Sequence, residues 1–452
     1  MTRKEVFQTI IGTAEAITPK LVEERHDFHK YAEGGWFEMR TTSLIARRLK
    51  ELGFDEVLLG DQVMKRDVRM SVPSDEVLDA EYARALAQGA DPEFVPYTKG
   101  GMTGCIGILH CGDGPVVGMR FDIDALGIPE STDPDHMPCR LGYASVNNGF
   151  MHACGHDSHA VIGLGVAEVL MKIRDELHGT IKLIFQPHEE GVAGGAQAIV
   201  ANGHLDDMMY MIGSHATKRK NEAPGTALVP GMHGSLATSK WGLVIHGHSV
   251  HAAGCPELGH DALLAAATII LELNAIARHS AGATRIGIGK VRDDSVVNAI
   301  SDEVHLDFEI RGQTNELCDY MLGKAKRIIE HSCAMQECTY ELVCKGAAES
   351  FVSSAPLLKR IRRVCTEDLG LLVSAEDSMK GGGSEDCSYF INKVQANGGE
   401  STFMRVLTDM TGVAHARNYN IDNEVLIPNA VKAFCGTVYD IVNDPDALIK
   451  RA

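Results

Sequence analysis

The stretch TIKLIFQPHEEG (180–191) decides the fold. Its first seven residues, Thr180 to Gln186, form a short apolar run of strand length, and Pro187 ends it. The run delivers His188, Glu189 and Glu190 to its carboxyl end. The same pattern recurs on either side. Upstream, PVVGMRFD (115–122) reads as a buried strand closing on Asp122, with Asp124 just beyond. Downstream, Met208 to Ser214 reads as a third strand, ending at His215. Ala160 to Met171 between them is helical in pattern. Strands alternating with helices predict an α/β layer with a mixed, largely parallel sheet flanked by helices. Ligands gather at the carboxyl ends of such strands, where all three polar clusters fall.

Further out, residues 20–53 read as a helical start, with Leu44, Ile45, Leu49 and Leu52 at helical spacing and Gly53 as the stop. Segment 60–100 is charged and mostly helical in composition. The middle of the chain changes rhythm. Lys240–Gly247 reads as strand, Asp261–Arg278 as helix, Thr284–Val291 and Glu303–Arg311 as strands, Asn315–Glu330 as helix and Glu337–Cys344 as strand. That order is βαββαβ, the pattern of a ferredoxin-like sandwich. The α/β pattern then resumes with helix Pro356–Leu369, a Gly-rich loop Gly381–Gly383, strand Thr402–Leu407 and helix Glu424–Ile441. The expected organisation is a discontinuous domain, 1–234 and 346–452, with a small domain inserted at 235–345.

The chain has 452 residues, with 43 Lys+Arg against 61 Asp+Glu and a formal net charge of −18. That balance argues against nucleic acid or an anionic membrane as a partner, but not against a small anionic substrate. The 12 Cys lack the spacing of a disulfide framework or a zinc ribbon, which predicts mostly buried thiols in a reducing compartment. The N-terminal stretch has no long apolar region, and no stretch approaches the ~20 apolar residues of a membrane span. A cytoplasmic protein is expected.

The densest chemical cluster is MHACGHDSHA (151–160). Cys154 and His156 flank Gly155, which lets the backbone turn so that both side chains converge. A Cys154 nucleophile with a His base is an alternative, but it leaves the adjacent acids Glu189 and Glu190 unexplained. Two neighbouring acids are commonly a solvated turn. At a strand end they can divide labour, one ligating a metal and the other acting as general base. Cys154, His156, Glu190, His215 and His415 together offer more ligands than one open zinc site takes, and they suit a pair of metals with one shared ligand.

These stretches resemble the M20 family of metallopeptidases and amidohydrolases, in its branch with a Cys-Gly-His motif. Further matching stretches are RHDFHKYAEGGWFEMRTTSLIA (25–46), MRFDIDALG (119–127), LIFQPHEEG (183–191), HSVHAAGCPELGHDALLAA (248–266), VVNAISDEVHLDFEIRG (296–312) and GGSEDCSYF (382–390). The resemblance implies a zinc-exopeptidase-like domain and a ferredoxin-like lid and dimerisation domain. It implies metal ligation by Cys154, His156, Glu190, His215 and His415, with Glu189 as general base. It places His251 at the oxyanion, across a dimer, and Asn298 and Arg311 on the substrate's carboxylate. It gives Asp122 and Asp124 supporting rather than ligating roles. The expected cofactors are two divalent ions, manganese or zinc, with cobalt and nickel compatible. GGMTGCIG (100–107), the charged segment before it and YASVNNGFMHACGHD (143–157) look most like members that cleave p-aminobenzoyl-glutamate. The expected activity is therefore hydrolysis of an N-acyl or N-aroyl amino acid. A general aminoacylase or dipeptidase is the rival within the family, and a subunit inactive without a homologous partner is the rival outside enzymes. His188 stands where this branch usually has Ala.

Overall fold

The computed structural model describes residues 1–192, 194–381 and 383–444. The run at 115–122 forms the strand Val116–Asp122, every residue of which is buried. It pairs in parallel with Thr180–Gln186 on one side and Tyr210–Lys218 on the other. Glu400–Thr408 extends the parallel row beyond Tyr210–Lys218. Cys105–His110 and then Glu56–Leu59 are added antiparallel at one edge, and Leu228–Val229 at the other. The result is a seven-stranded mixed sheet with a parallel centre. Strands buried on both faces need helices above and below, which explains their near-continuous apolar sequence.

Helices Arg3–Lys30, His156–Lys172 and Asn423–Val442 pack against one another over this sheet. Phe121 and Phe185 from the strands meet at 5.6 Å between ring centroids, and Phe434 of the last helix lies 5.1 Å from Phe121. Asn423–Val442 is also apolar enough to cross a membrane by length and composition, contrary to the expectation from sequence. Its most apolar window is 83% buried in the protein core, so its hydropathy reflects tertiary packing.

The chain divides into two compact units, one of Met1–His233, Val352–Lys380 and 389–452, the other of Gly234–Phe351 and 381–388. In the second unit the strand order is Thr339–Ala348, Ala237–His246, Glu303–Gly312, Thr284–Arg292, all antiparallel. Numbered along the chain this is 4-1-3-2, the ferredoxin-like order, with helices Ala262–Ala275 and Asn315–Met335 between the strands. Val304, Leu306, Phe308 and Ile310 alternate into its core, as a half-buried strand requires.

Several boundaries differ from the sequence reading. The helical start at 20–53 is two helices, Arg3–Lys30 and Met39–Leu52. The break is built by Trp36, at φ 66°, and by Glu33, whose carboxylate accepts the amide N–H of Arg40 (3.0 Å) and Thr41 (2.8 Å). The first turn of the second helix is thereby capped from upstream. The third strand runs to Lys218 rather than ending at Ser214, because Glu400–Thr408 pairs with it residue for residue. His215 therefore projects from within a strand. Part of the expected Gly381–Gly383 loop, Gly382, lies outside the described residues.

Asp440 ties three helices of the first unit together. Its carboxylate meets Arg3 at 2.7 Å, Arg360 at 2.9 Å and Arg363 at 2.6 Å. Burial alone would raise its pKa, but Arg363 and Arg3 outweigh that and hold it below the usual value. Asp440→Asn is expected to destabilise the fold by about 1–3 kcal/mol, discounted for the half-exposed arginines. A depressed carboxylate stabilises above its unfolded pKa, and that stabilisation fades as pH falls below about 4. Chemical denaturation at pH 7 and pH 3 should show the difference between wild type and variant shrinking at the lower pH.

Candidate metal centre

The parallel register brings the chemical residues to one edge of the first unit. Asp122 is level with Gln186, and His215 lies two residues beyond Gly213, the partner of Arg120. Gly155 closes the loop before helix His156–Lys172. It has φ 94°, and a Cβ there would lie 2.6 Å from Ile421 Cδ1, so both backbone sign and space require glycine. This turn places Cys154 and His156 on either side of the helix start.

Cys154 Sγ lies 3.3 Å from His215 Nε2. His156 Nε2 is 3.8 Å from Glu190 Oε1 and 3.9 Å from Glu189 Oε2, and His415 Nε2 is 3.7 Å from Glu190 Oε2. Ligands bound to one tetrahedral ion at 2.0–2.3 Å sit roughly 3.3–3.8 Å apart, so these spacings fit coordination. Two triads satisfy mutual proximity around Cys154: Cys154, His156 and His215, and Cys154, Glu190 and His415. Cys154 belongs to both. His156 Nε2 and Glu190 Oε1 are buried without a hydrogen-bond partner, which is costly unless a cation engages them. The residues present thus fit a pair of divalent ions.

The supporting groups aim these atoms. Asp124 holds His156 Nδ1 at 3.1 Å through its carboxylate and 3.0 Å through its carbonyl, and it accepts the Glu190 amide N–H at 2.8 Å. His215 Nδ1 donates to the Ala216 carbonyl at 2.6 Å, which leaves the Nε2 lone pair toward Cys154. His159 donates from Nδ1 to Asp122 (2.5 Å) while its Nε2 accepts the Ala216 amide N–H (2.9 Å). The His415 amide N–H donates to the Ala153 carbonyl at 2.8 Å, fastening the distant loop to the Cys-Gly-His turn.

Electrostatics favour a cation. Burial pushes the Glu190 carboxyl up to about 7, with Asp124 adding repulsion. Burial likewise raises the Cys154 thiol and, in the opposite chemical sense, depresses His215 so that it stays neutral. Burial also opposes charge on His156, but Asp122 and the bond to Asp124 outweigh it and raise its pKa.

Sequence reasoning left a second buried network unassigned. Asp157 pairs with Arg25 (2.7 Å) and His29 (2.8 Å), and His29 and His136 each meet Glu130 at 2.9 Å. No local signal in the sequence joins 25–30 to the motif at 151–159, since the two stretches are far apart along the chain. The structure places His251, Asn298 and Arg311 in the second unit. His251 and Asn298 are exposed on paired segments, with the Ala252 amide N–H donating to the Asn298 carbonyl at 2.9 Å. Arg311 is held bidentately by Glu309, at 2.7 and 3.0 Å.

Residues 118–440 match the model of peptidase family M20/M25/M40. The chain belongs to that family. It is accordingly an amide-bond hydrolase. It is 38% identical over 91% of its length to the indole-3-acetyl-aspartic acid hydrolase of Enterobacter agglomerans, covering 93% of that protein. It is 37% identical over 91% to a p-aminobenzoyl-glutamate hydrolase subunit of Escherichia coli K12, again covering 93% of that protein. Among solved structures, the aminobenzoyl-glutamate utilization protein of Klebsiella pneumoniae superposes with a TM-score of 0.80 at 33% identity, over 96% of this chain and 99% of that one. The resemblance read from the motifs and the M20 membership agree.

Proposed function

We propose that this chain hydrolyses the amide of an N-acyl or N-aroyl amino acid, with p-aminobenzoyl-glutamate as the best-supported substrate. The observation that carries the reading is Cys154 shared between two ligand triads, beside a carboxylate, Glu189, that belongs to neither of them. Cys154, His156, Glu190, His215 and His415 would hold two divalent ions, manganese or zinc. Bound there, such ions acidify water and polarise a carbonyl oxygen. Glu189 takes a proton from the attacking water and returns it to the leaving nitrogen. His251 Nδ1 accepts the amide N–H of Ala253 and Gly254, both at 3.1 Å. With Nδ1 engaged as an acceptor, Nε2 is the ring nitrogen left to donate to the developing oxyanion. Asn298 and Arg311 grip the substrate's carboxylate, Arg311 with the planar fork that Glu309 already holds flat.

The substrate classes named by the relatives support this reading, since both are acyl conjugates of acidic amino acids. Burial that raises the Cys154 thiol runs against a Cys nucleophile, which needs a lowered pKa. A homodimer or a hetero-oligomer with a homologous subunit, acting in the cytoplasm, completes the proposal.

The test is release of free amino acid from a panel of N-acyl amino acids, including p-aminobenzoyl-glutamate, with manganese, zinc, cobalt or nickel, and with chelator. Arg311→Ala is expected to raise KM for the preferred substrate roughly 10- to 100-fold, the scale of charged hydrogen bonds, with a smaller change in kcat. The same substrate with its α-carboxylate esterified should be nearly indifferent to the change. Equal losses on acid and ester would remove Arg311 from carboxylate binding, and chelator-insensitive release would overturn the metal assignment.

A further inference from the structure

We propose that Arg69, Trp36 and His188 form a stacked column that positions the Glu189–Glu190 pair, with Gly35 as the slot that receives the imidazole. The inference rests on the roles proposed above for those two acids. The Arg69 guanidinium lies 5.2 Å over the Trp36 ring, and the Trp36 and His188 rings meet edge to face at 4.8 Å. Trp36 is fully buried, and its Nε1 donates to the Met70 carbonyl at 2.9 Å. Arg69 is itself fixed, donating to the carbonyls of Gly100 (2.8 Å) and Gly101 (2.9 Å). The charged segment 60–101 thus reaches the acid pair through aromatic contacts.

Backbone strain marks the column. Trp36 has φ 66° and His188 φ 49°, a left-handed conformation that side-chain-bearing residues rarely adopt. Such conformations persist where surroundings over-determine them, and they cluster at functional sites. At His188 the constraint is visible. Its amide N–H donates to Glu38 Oε1 at 2.8 Å, while Glu38 Oε2 accepts the Thr103 hydroxyl at 2.7 Å. Downstream, Asp124 accepts the Glu190 amide N–H at 2.8 Å. Glu189 is therefore suspended between two anchored peptide groups, and its direction is set by the turn at His188.

Gly35 is the key to a test. Its backbone is not left-handed, so alanine suits it locally. A Cβ there would lie 1.5 Å from His188 Nδ1 and 2.4 Å from His188 Cε1 and Cγ, so the imidazole is the nearest obstacle to a side chain. Gly35→Ala must displace His188 and turn the acid pair. His188 and Trp36 are positioning residues, acting through Glu189 and Glu190.

The experiment compares Gly35→Ala, His188→Ala, the double variant and Glu189→Gln in the full chain. The readouts are Zn²⁺ affinity by competition with a chromophoric chelator, the visible spectrum of the Co²⁺ form, and kcat and KM on an N-acyl amino acid. Gly35→Ala should lose about 10- to 100-fold in Zn²⁺ affinity and in kcat, the scale for groups that orient metal ligands, with KM nearly unchanged. His188→Ala should lose about tenfold, and the double variant should be no worse than His188→Ala alone, because the clash is gone. If Gly35→Ala fails to fold, recovery of folded, Zn²⁺-binding protein in the double variant reports the same coupling. Wild-type Zn²⁺ affinity in both single variants, losses that multiply in the double variant, or its failure to recover would overturn the column. A Glu189→Gln variant with wild-type turnover would instead overturn the general-base reading, leaving the column judged by Zn²⁺ affinity.

Discussion

Glu189→Gln should lose turnover by roughly 10²- to 10⁴-fold while keeping the divalent-ion content of wild type. The substitution is nearly isosteric, and Glu189 is 8% exposed, so packing changes little. Its backbone carbonyl accepts the Val192 amide N–H at 2.7 Å, a contact the amide side chain leaves untouched. Glu189 also stands outside the two Cys154 triads, so the proposed ligands remain. What disappears is the capacity to take a proton from water and return it to nitrogen. KM should therefore stay close to wild type while kcat falls. Elemental analysis beside steady-state kinetics checks both halves. Substantial residual turnover with full ion content would assign the proton transfer to another group.

The second large effect is expected for Cys154→Ala. Because Sγ is common to both triads, its loss should weaken both ions at once, by more than the roughly 10- to 100-fold typical of outer groups. His415→Ala makes the useful contrast. His415 belongs to one triad and its side chain is 55% exposed, so one ion should be lost and the other retained. Isothermal titration with Zn²⁺ distinguishes these outcomes by stoichiometry. A Cys154→Ala protein that still binds two ions with wild-type affinity would refute the shared-ligand arrangement.

The chemical clusters were legible because each sits where an apolar run stops or turns: Asp122 closes a buried strand, Glu189 and Glu190 follow another, and Cys154 and His156 flank a glycine. The ferredoxin-like order was legible for the same reason, since period-two alternation in Glu303–Gly312 survives in sequence. What lies between charged partners was not. Nothing in the sequence says that Asp157 finds Arg25 and His29 rather than water, because that pairing spans more than a hundred residues and depends on helix Arg3–Lys30 lying against His156–Lys172. The extent of Tyr210–Lys218 was hidden too. Its last residues, Thr217 and Lys218, are polar and become strand only because a far later segment pairs with them. The break at 31–38 depends on Glu33 capping the next helix from outside, a choice that helix propensity alone does not reveal.

The strand Glu400–Thr408 lies inside the first sheet, between Tyr210–Lys218 and Leu228–Val229, rather than at its rim. On the ribosome, the earlier neighbours emerge long before it does. Until it arrives, Tyr210–Lys218 presents an open edge, a template for pairing with other chains. Such non-local closure makes folding slow and exposes the nascent chain to aggregation. His415 follows that strand by seven residues, from Thr408 to His415. Synthesis must therefore pass residue 415 before the ligand set can assemble, and a product terminated before it would carry the Cys154 thiol without its full set of partners.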